Sequence, residues 1–232
     1  MIYFFVIKER FMIGIIVALK SEAEHVLNIA KNLKPVPFLD KVAYECEIGG
    51  EKAVFVISGI GKVSASLTAQ YLIDNYSPDY IMNFGTAGGT NKSVFRCAYY
   101  AVDNCCQYDF DVTQIDDVSL GYIQEYDTVL FKVKSGIIPF LEKRNLASGD
   151  RFSNDEKDAK VVNSLGCSLK DMEGGAIAQV ARSNNVDCYI IKGVTDVYGV
   201  PDPDKQFIEN LSSVNSGFKD LIPEIITFLK NE

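Results

Sequence analysis

Short runs of β-branched and apolar residues alternate with helical patterns along most of this chain, and this alternation limits the possible folds more than any other feature. The run MIGIIVAL (12–19) has strand length and no polar face, which is typical of a strand buried on both sides. Residues 21–33 follow it with helical spacing. Strand, helix and strand in this order predict an α/β domain in which helices flank a central mixed β-sheet.

The same periodicities predict the remaining elements. In chain order they are a hairpin over 43–58 turning at Gly49-Gly50, a helix at 62–76, strands at 79–85 and near 97–103, a helix at 173–185, a strand at 187–196 and a helix at 212–231 that contains Pro223. The stretch 104–150 has no clear pattern. Since no composition break interrupts the chain, we expect one domain over 12–232, with residues 1–11 as a candidate N-terminal extension that ends before Met12.

The composition excludes several classes of function. A net charge of −8 over 232 residues disfavours binding to nucleic acid, because phosphate contacts require an excess of Lys and Arg. The six cysteines include no CxxC pair and His25 is the only histidine, so no metal or other cofactor is expected. We interpret the cysteines as reduced thiols of a cytoplasmic protein. No segment has the length and hydrophobicity of a membrane span, so no membrane association is expected.

Three predicted strands end in small residues, namely SGIGK (58–62), NFGTAGG (83–89) and GVTDVYG (193–199). Ligands of open α/β sheets bind beyond the carboxyl ends of the strands, and glycine there lets the backbone approach a ligand. The P-loop and GxGxxG patterns are both absent from these turns. Each turn alone is equally well explained as a tight connection, but three together favour a small-molecule site.

Three acidic residues fall at this same predicted edge: Glu22, Glu173 and Asp196. Each has a structural explanation, since Glu22 and Glu173 lie at helix starts, where the helix dipole favours acids, and Asp196 could cap a turn. Convergent carboxylates are also the minimum equipment for cleaving a glycosidic bond. The sequence alone leaves both interpretations open.

Seven segments now make a resemblance specific. They are IGIIVALKSEAE, SGIGKVSASLTA, IMNFGTAGG, DFDVT, SGDRF, DMEGGAIAQV and IKGVTDVYG. In this order, over residues 12 to about 230, the chain resembles the nucleoside phosphorylase/nucleosidase superfamily, and most closely the 5′-methylthioadenosine/S-adenosylhomocysteine nucleosidases. The resemblance implies a three-layer fold, hydrolytic release of adenine from a 5′-modified adenosine, and a homodimer.

The resemblance also implies roles for the acids. Asp196 would protonate N7 of the purine, which requires a raised pKa that burial can provide. Glu22 would activate the attacking water. Glu173 would hold the ribose hydroxyls near the developing positive charge, with Met172 lining the sugar. The small residues that follow in DMEGGAIA would let the next helix pack closely against the sheet.

Further positions are implied to bind the substrate. Phe152 would stack on adenine and the backbone of Ser153 would read the purine edge. The positions implied to line the pocket are Ile60, Thr86, Ala87, Gly88, Val112, Lys192, Thr195 and Phe207. Lys192 departs from the usual family arginine and lacks its planar fork. Asp116 and Asp117 depart from an aromatic, proline-bearing region that lines the 5′-substituent pocket.

Several alternatives remain at this stage. A phosphorylase would need cations around phosphate, and Asn83 stands near a position where related phosphorylases have arginine, so water is the favoured nucleophile. Another adenosine derivative, such as aminofutalosine, would need the same acids. A nucleoside-binding protein without turnover would need neither a base nor an acid.

Overall fold

The computed structural model describes residues 11–152, 155–200 and 203–232. Within these ranges the chain forms ten strands in one mixed sheet. The strands are β1 (Met12–Val17), β2 (Lys31–Val36), β3 (Val42–Ile48), β4 (Glu51–Ile57), β5 (Tyr80–Gly89), β6 (Tyr99–Gln107), β7 (Phe131–Lys132), β8 (Glu142–Ser148), β9 (Leu169–Asp171) and β10 (Asp187–Val197). The predicted α/β class with a central mixed sheet is confirmed.

Parallel strands form the centre of the sheet. β1 lies between β4 and β5, and β5 also pairs in parallel with β10. β10 continues through β6, β8 and β9, and β9 pairs back onto the end of β5, so this part of the sheet closes on itself. The carboxyl ends of β1, β5 and β10 therefore meet at one edge.

Five α-helices cover the sheet: α1 (Lys20–Leu27), α2 (Lys62–Tyr76), α3 (Glu156–Ser164), α4 (Gly174–Ser183) and α5 (Pro203–Lys230). The apolar side chains of α2 and α4 join a core cluster on one face, whereas those of α1 and α5 join a cluster on the other. None of the helices in the described ranges is long and apolar enough to cross a membrane.

The secondary-structure predictions were partly wrong. The hairpin at Gly49-Gly50 is confirmed, but the helix predicted over 21–33 ends at Leu27, and residues 31–36 form edge strand β2. Pro35 suits an edge strand because its missing N–H costs no ladder hydrogen bond there. The unpatterned stretch 104–150 contains the end of β6, β7 and β8, and α5 begins nine residues before the predicted helix. The candidate extension lies almost wholly outside the described residues.

Phe218 of α5 tests how this helix is attached to the sheet. Its buried ring packs on Phe84 of β5 at 4.9 Å and on Tyr99 of β6 at 5.2 Å between ring centroids. Phe218→Ala is expected to lower the free energy of unfolding by about 3–5 kcal/mol, because it leaves a cavity between helix and sheet. Urea denaturation measures this loss. Lys219→Ala, at the exposed neighbouring position, should change the free energy by less than about 0.5 kcal/mol.

Candidate active site

A cleft opens where β1, β5 and β10 end. The empty space of the cleft, open mouth included, is about 680 Å³. All three acids predicted from the sequence line it, although they come from α1, the start of α4 and β10.

The Glu22 carboxylate is held by backbone and side-chain donors. Glu22 lies in the first turn of α1 and is buried. Its Oε2 accepts hydrogen bonds from the N–H groups of Ala18 (3.1 Å) and Leu19 (3.0 Å). Its Oε1 accepts from the N–H and Oγ1 of Thr86, at 2.8 and 3.0 Å. These four donors fix the carboxylate at the junction of β1 and β5.

Gly85 of β5 leaves the space that this carboxylate occupies. A Cβ atom built on Gly85 would lie 2.6 Å from Oε1 of Glu22. Gly85, the first glycine of NFGTAGG, therefore allows the Glu22 carboxylate to contact β5.

Glu173 is the N-cap residue of α4 and is buried beneath Gly61, whose N–H donates to its Oε1 at 2.8 Å. Burial raises the pKa of Glu173 to about 7, and the nearby Asp171 carboxylate adds to this rise. The ammonium group of Lys192 and the Gly61 N–H act in the opposite direction. Glu173 is therefore a carboxyl group that titrates near neutral pH.

Asp171 and Lys192 form a buried ion pair behind Glu173. Lys192 Nζ lies 2.8 Å from Asp171 Oδ2, which also accepts from the N–H of Gly174 at 2.8 Å. Asp171 Oδ1 accepts from the Ser148 hydroxyl. Burial lowers the pKa of Lys192, but Asp171 and Glu173 outweigh it and the net shift is upward. Lys192 thus remains an ammonium ion inside the protein.

Asp196 lies near the end of β10 and also lines the cleft. It is buried, and its Oδ1 accepts a hydrogen bond from Thr195 Oγ1 at 2.8 Å. Gly88 of β5 lies against it, because a Cβ atom on Gly88 would be 3.2 Å from Asp196 Oδ2. The register between β5 and β10 shifts between Val194 and Asp196, where a bulge brings Asp196 opposite Gly88.

Two aromatic rings form the open side of the cleft. Phe152 is 62% exposed, and its ring meets that of Phe207 edge to face, with centroids 5.3 Å apart. Such an exposed ring offers a flat apolar surface to a planar ligand. The other predicted positions that line the cleft are Ile60, Thr86, Ala87, Gly88, Met172 and Thr195. Ser153, predicted to read the purine edge, lies outside the described residues.

Comparisons with known proteins agree with one another. The model of the family described as "Phosphorylase superfamily" matches residues 12–227. A 5′-methylthioadenosine/S-adenosylhomocysteine nucleosidase of Buchnera aphidicola subsp. Baizongia pistaciae is 30% identical over 224 residues, which cover 90% of this chain and 88% of the relative. A second one, from Buchnera aphidicola subsp. Acyrthosiphon pisum (strain Tuc7), is 33% identical over 202 residues, 79% of this chain and 84% of the relative.

The chain belongs to the 5′-methylthioadenosine/S-adenosylhomocysteine nucleosidase family of the phosphorylase superfamily. The resemblance drawn from the seven motifs is thereby confirmed.

Solved structures show the same fold as this nucleosidase-family chain. The Neisseria meningitidis 5′-methylthioadenosine/S-adenosylhomocysteine nucleosidase in complex with methylthio-immucillin-A superimposes with a TM-score of 0.83 at 24% identity, covering 93% of this chain and 98% of that one. Helicobacter pylori futalosine hydrolase superimposes with a TM-score of 0.85 at 20% identity, covering 93% of this chain and 97% of that one. At these identities the likeness concerns the fold alone.

Two predicted positions of this nucleosidase-family chain do not line the cleft. Lys192 lies behind the cleft wall, in the ion pair with Asp171. Val112 lies in the loop after β6, where its carbonyl accepts from the N–H groups of Ile115 and Asp116. A direct contact of either residue with substrate remains a prediction from the resemblance.

Some lining residues were missed from the sequence. They are Ala18, Leu19, Arg151, Lys170 and Asp171. Asp171 was visible in DMEGG, but only its pairing with Lys192 shows why it is there. Lys170 and Arg151 both contact Asp158 of α3, at 2.8 and 3.2 Å, and no local motif signals that cluster.

The raised pKa of Glu173 predicts a pH-dependent cost to folding. The usual pKa of 4.5 rises to about 7 in the folded chain. Between these values the folded state binds more protons than the unfolded state, so stability falls as pH rises through this window. Glu173→Gln removes the titration. Its free energy of unfolding relative to wild type should be larger at pH 8 than at pH 5, by roughly 2 kcal/mol.

Urea denaturation at the two pH values measures this difference, with Glu24→Gln as the control at an exposed position of α1. The control should show the same relative stability at both pH values. A Glu173→Gln difference that is also independent of pH would mean that Glu173 titrates in its ordinary range.

Proposed function

We propose that this chain hydrolyses the N-glycosidic bond of 5′-methylthioadenosine, S-adenosylhomocysteine or a related 5′-modified adenosine and releases adenine. The observation that carries the proposal is the arrangement of Glu22, Glu173 and Asp196, which come from distant parts of the sequence and line one cleft. Family membership supports the same reaction.

The arrangement suits a reaction in which positive charge develops on the sugar. Cleavage of a glycosidic bond passes through an oxocarbenium-like transition state. Glu22 and Glu173, at the starts of α1 and α4, would face that charge and stabilise it, because buried carboxylates act in a medium of low dielectric. In our proposal Glu173 also accepts hydrogen bonds from the ribose hydroxyls. Glu22 accepts a proton from the attacking water.

Asp196 is proposed as the general acid. It lines the cleft next to Gly88, whose missing side chain lets β5 approach the Asp196 carboxyl group. Protonation of purine N7 would make the base a better leaving group. Phe152 is proposed to stack on the base and Met172 to line the sugar, since both line the same cleft. The backbone of Ser153 is proposed to read the purine edge.

The charges around the cleft favour water over phosphate as the nucleophile. Both cations that line the described part of the cleft, Arg151 and Lys170, contact Asp158, and Lys192 behind the cleft wall pairs with Asp171. Asn83, where a phosphorylase would need a cation, is buried and donates to the Ile16 carbonyl at 2.9 Å. A phosphate dianion beside Glu22 and Glu173 would meet repulsion.

The 5′-substituent is proposed to lie toward the loop that follows β6. In the isolated chain Ile115 of this loop is 83% exposed, and Asp116 and Asp117 are exposed beside it. This mixture of apolar and acidic residues would accept an alkylthio group and also a substituent with an amino group. A panel of adenosine derivatives, scored for free adenine, ranks these substrates.

We also propose that the active form is a cytoplasmic homodimer. The free cysteines suit a reducing compartment. Ile60 lies two residues before α2 and Val63 and Leu67 lie within it, spaced three and four apart, and each is at least 49% exposed. We name them the α2 apolar face. An exposed apolar patch next to a ligand site is typical of an oligomer interface.

Adenine release with and without phosphate tests the reaction. We expect turnover of methylthioadenosine in phosphate-free buffer, measured as the release of adenine. Asp196→Asn should lower kcat by roughly 10²–10⁴-fold, because the amide cannot protonate the base, while ligand binding measured by calorimetry changes little. Strict dependence on phosphate would replace hydrolysis by phosphorolysis, and unchanged turnover by Asp196→Asn would remove Asp196 from the mechanism.

Sedimentation equilibrium tests the homodimer. Val63→Asp places a charge in the α2 apolar face and should convert the dimer to monomer, because an unpaired buried charge is costly. Val42→Asp places the same charge at an exposed apolar position of β3 and should leave the mass at that of the dimer. A wild-type monomer would contradict the proposal.

A further inference from the structure

Gly61 and Lys62 join the cleft to a hydrogen-bonded network outside it. The Gly61 N–H donates to Oε1 of Glu173 at 2.8 Å, and Lys62 begins α2 directly after it. Gly61 has a φ of +96°, which favours glycine over other residues. The direction of this N–H is therefore set by an uncommon backbone conformation, which the neighbouring contacts must maintain.

Two segments, one after β6 and one after β8, hold that conformation through a closed ring of hydrogen bonds. The Lys62 N–H donates to Asp150 Oδ1 at 2.7 Å, and the Asp150 N–H donates to Asp109 Oδ2 at 2.9 Å. The Lys62 ammonium group closes the ring on Asp109 Oδ1 at 2.5 Å and also donates to Gln107 Oε1 at 3.0 Å. The ring ties the start of α2 to the segments that follow β6 and β8.

We infer that Lys62 and Asp109 are positioning residues for the reaction. Through the ring they hold the Gly61 N–H on Oε1 of Glu173, so that the other carboxylate oxygen is left to accept a ribose hydroxyl. The inference rests on the proposed function. Neither residue lines the cleft, and Lys62 and Asp109 are 19% and 31% exposed as side chains. Their effect on catalysis therefore passes through Gly61.

The electrostatics of Glu173 make this contact consequential. Glu173 is faced by Asp171 of β9 and Glu22 of α1, which both raise its pKa, and by Lys192 of β10, which lowers it. The Gly61 N–H stabilises the charged form and also lowers the pKa. If the Gly61 N–H turned away, the pKa of Glu173 would rise further. A smaller fraction of the enzyme would then carry the Glu173 carboxylate at neutral pH.

The experiment compares pH profiles of kcat/KM for wild type, Lys62→Met, Lys62→Arg and Asp109→Asn with a nucleoside that wild type cleaves. Lys62→Met and Asp109→Asn should lower kcat/KM at pH 7 by roughly ten- to a hundredfold and move the acid limb to higher pH. Lys62→Arg keeps the charge and should recover much of the activity. Lys132→Met removes a lysine from a longer and more exposed pair with Asp103 (4.0 Å), which does not line the cleft, and serves as control.

A substrate analogue without the ribose 2′ and 3′ hydroxyls separates positioning from a merely structural effect. With this analogue, kcat/KM of Lys62→Met should lie within about twofold of the wild-type value, because the analogue has no ribose hydroxyl that could donate a hydrogen bond to Glu173. An unshifted acid limb, or an equal loss with both substrates, would overturn the inference. If Lys62→Met does not fold, Asp109→Asn tests the same bond. A wild-type chain that releases no adenine would instead overturn the proposed function.

Discussion

The burial of carboxyl groups around one small cleft is the constraint on which the rest of this structure depends. Glu22, Asp171, Glu173 and Asp196 are each at least 92% buried, although burial opposes ionisation of a carboxyl group. The buried Lys192 ammonium group offsets part of this cost through Asp171 and Glu173. Backbone N–H groups offset more of it, because Glu22, Asp171 and Glu173 all accept from them. These contacts thus hold carboxyl groups around the cleft, as the proposed formation of a cation on the sugar requires.

The fold supplies those N–H groups because of where its elements begin and end. Parallel β1, β5 and β10 end at one edge, and α1, α2 and α4 begin near it. The start of a helix has unpaired N–H groups and the positive end of the helix dipole, so it stabilises an acid placed there. Glu22 lies in the first turn of α1, and Glu173, at the N-cap position of α4, accepts from the N–H of Gly61, which immediately precedes α2. The acids that looked like ordinary helix-start residues in the sequence are held by helix starts as well.

The sequence predicts the parts of the site that depend on strand order and local motif. Buried runs such as 12–19 and 187–196 are unambiguous, so the acids that follow them could be placed at a common edge. It could not predict contacts made by distant side chains, such as Lys192 with Asp171 or Lys62 with Asp109, because their partners lie 21 and 47 residues away and no spacing rule connects them. The error at 21–33 has a different cause: the apolar residues Val26, Ile29 and Leu33 are spaced three and four apart, as in a helix, while the pairing of 31–36 with β3 decides the outcome.

The origin of the oxygen added to the sugar tests the central claim most directly. A single turnover of methylthioadenosine in H₂¹⁸O containing unlabelled phosphate, quenched before the product sugar can exchange with solvent, is analysed by mass spectrometry. If Glu22 directs water to the anomeric carbon while Asp196 releases adenine, the sugar carries one ¹⁸O atom and no phosphate. A sugar 1-phosphate, or a sugar without the label, would contradict a cleft of carboxylates built to break this bond with water.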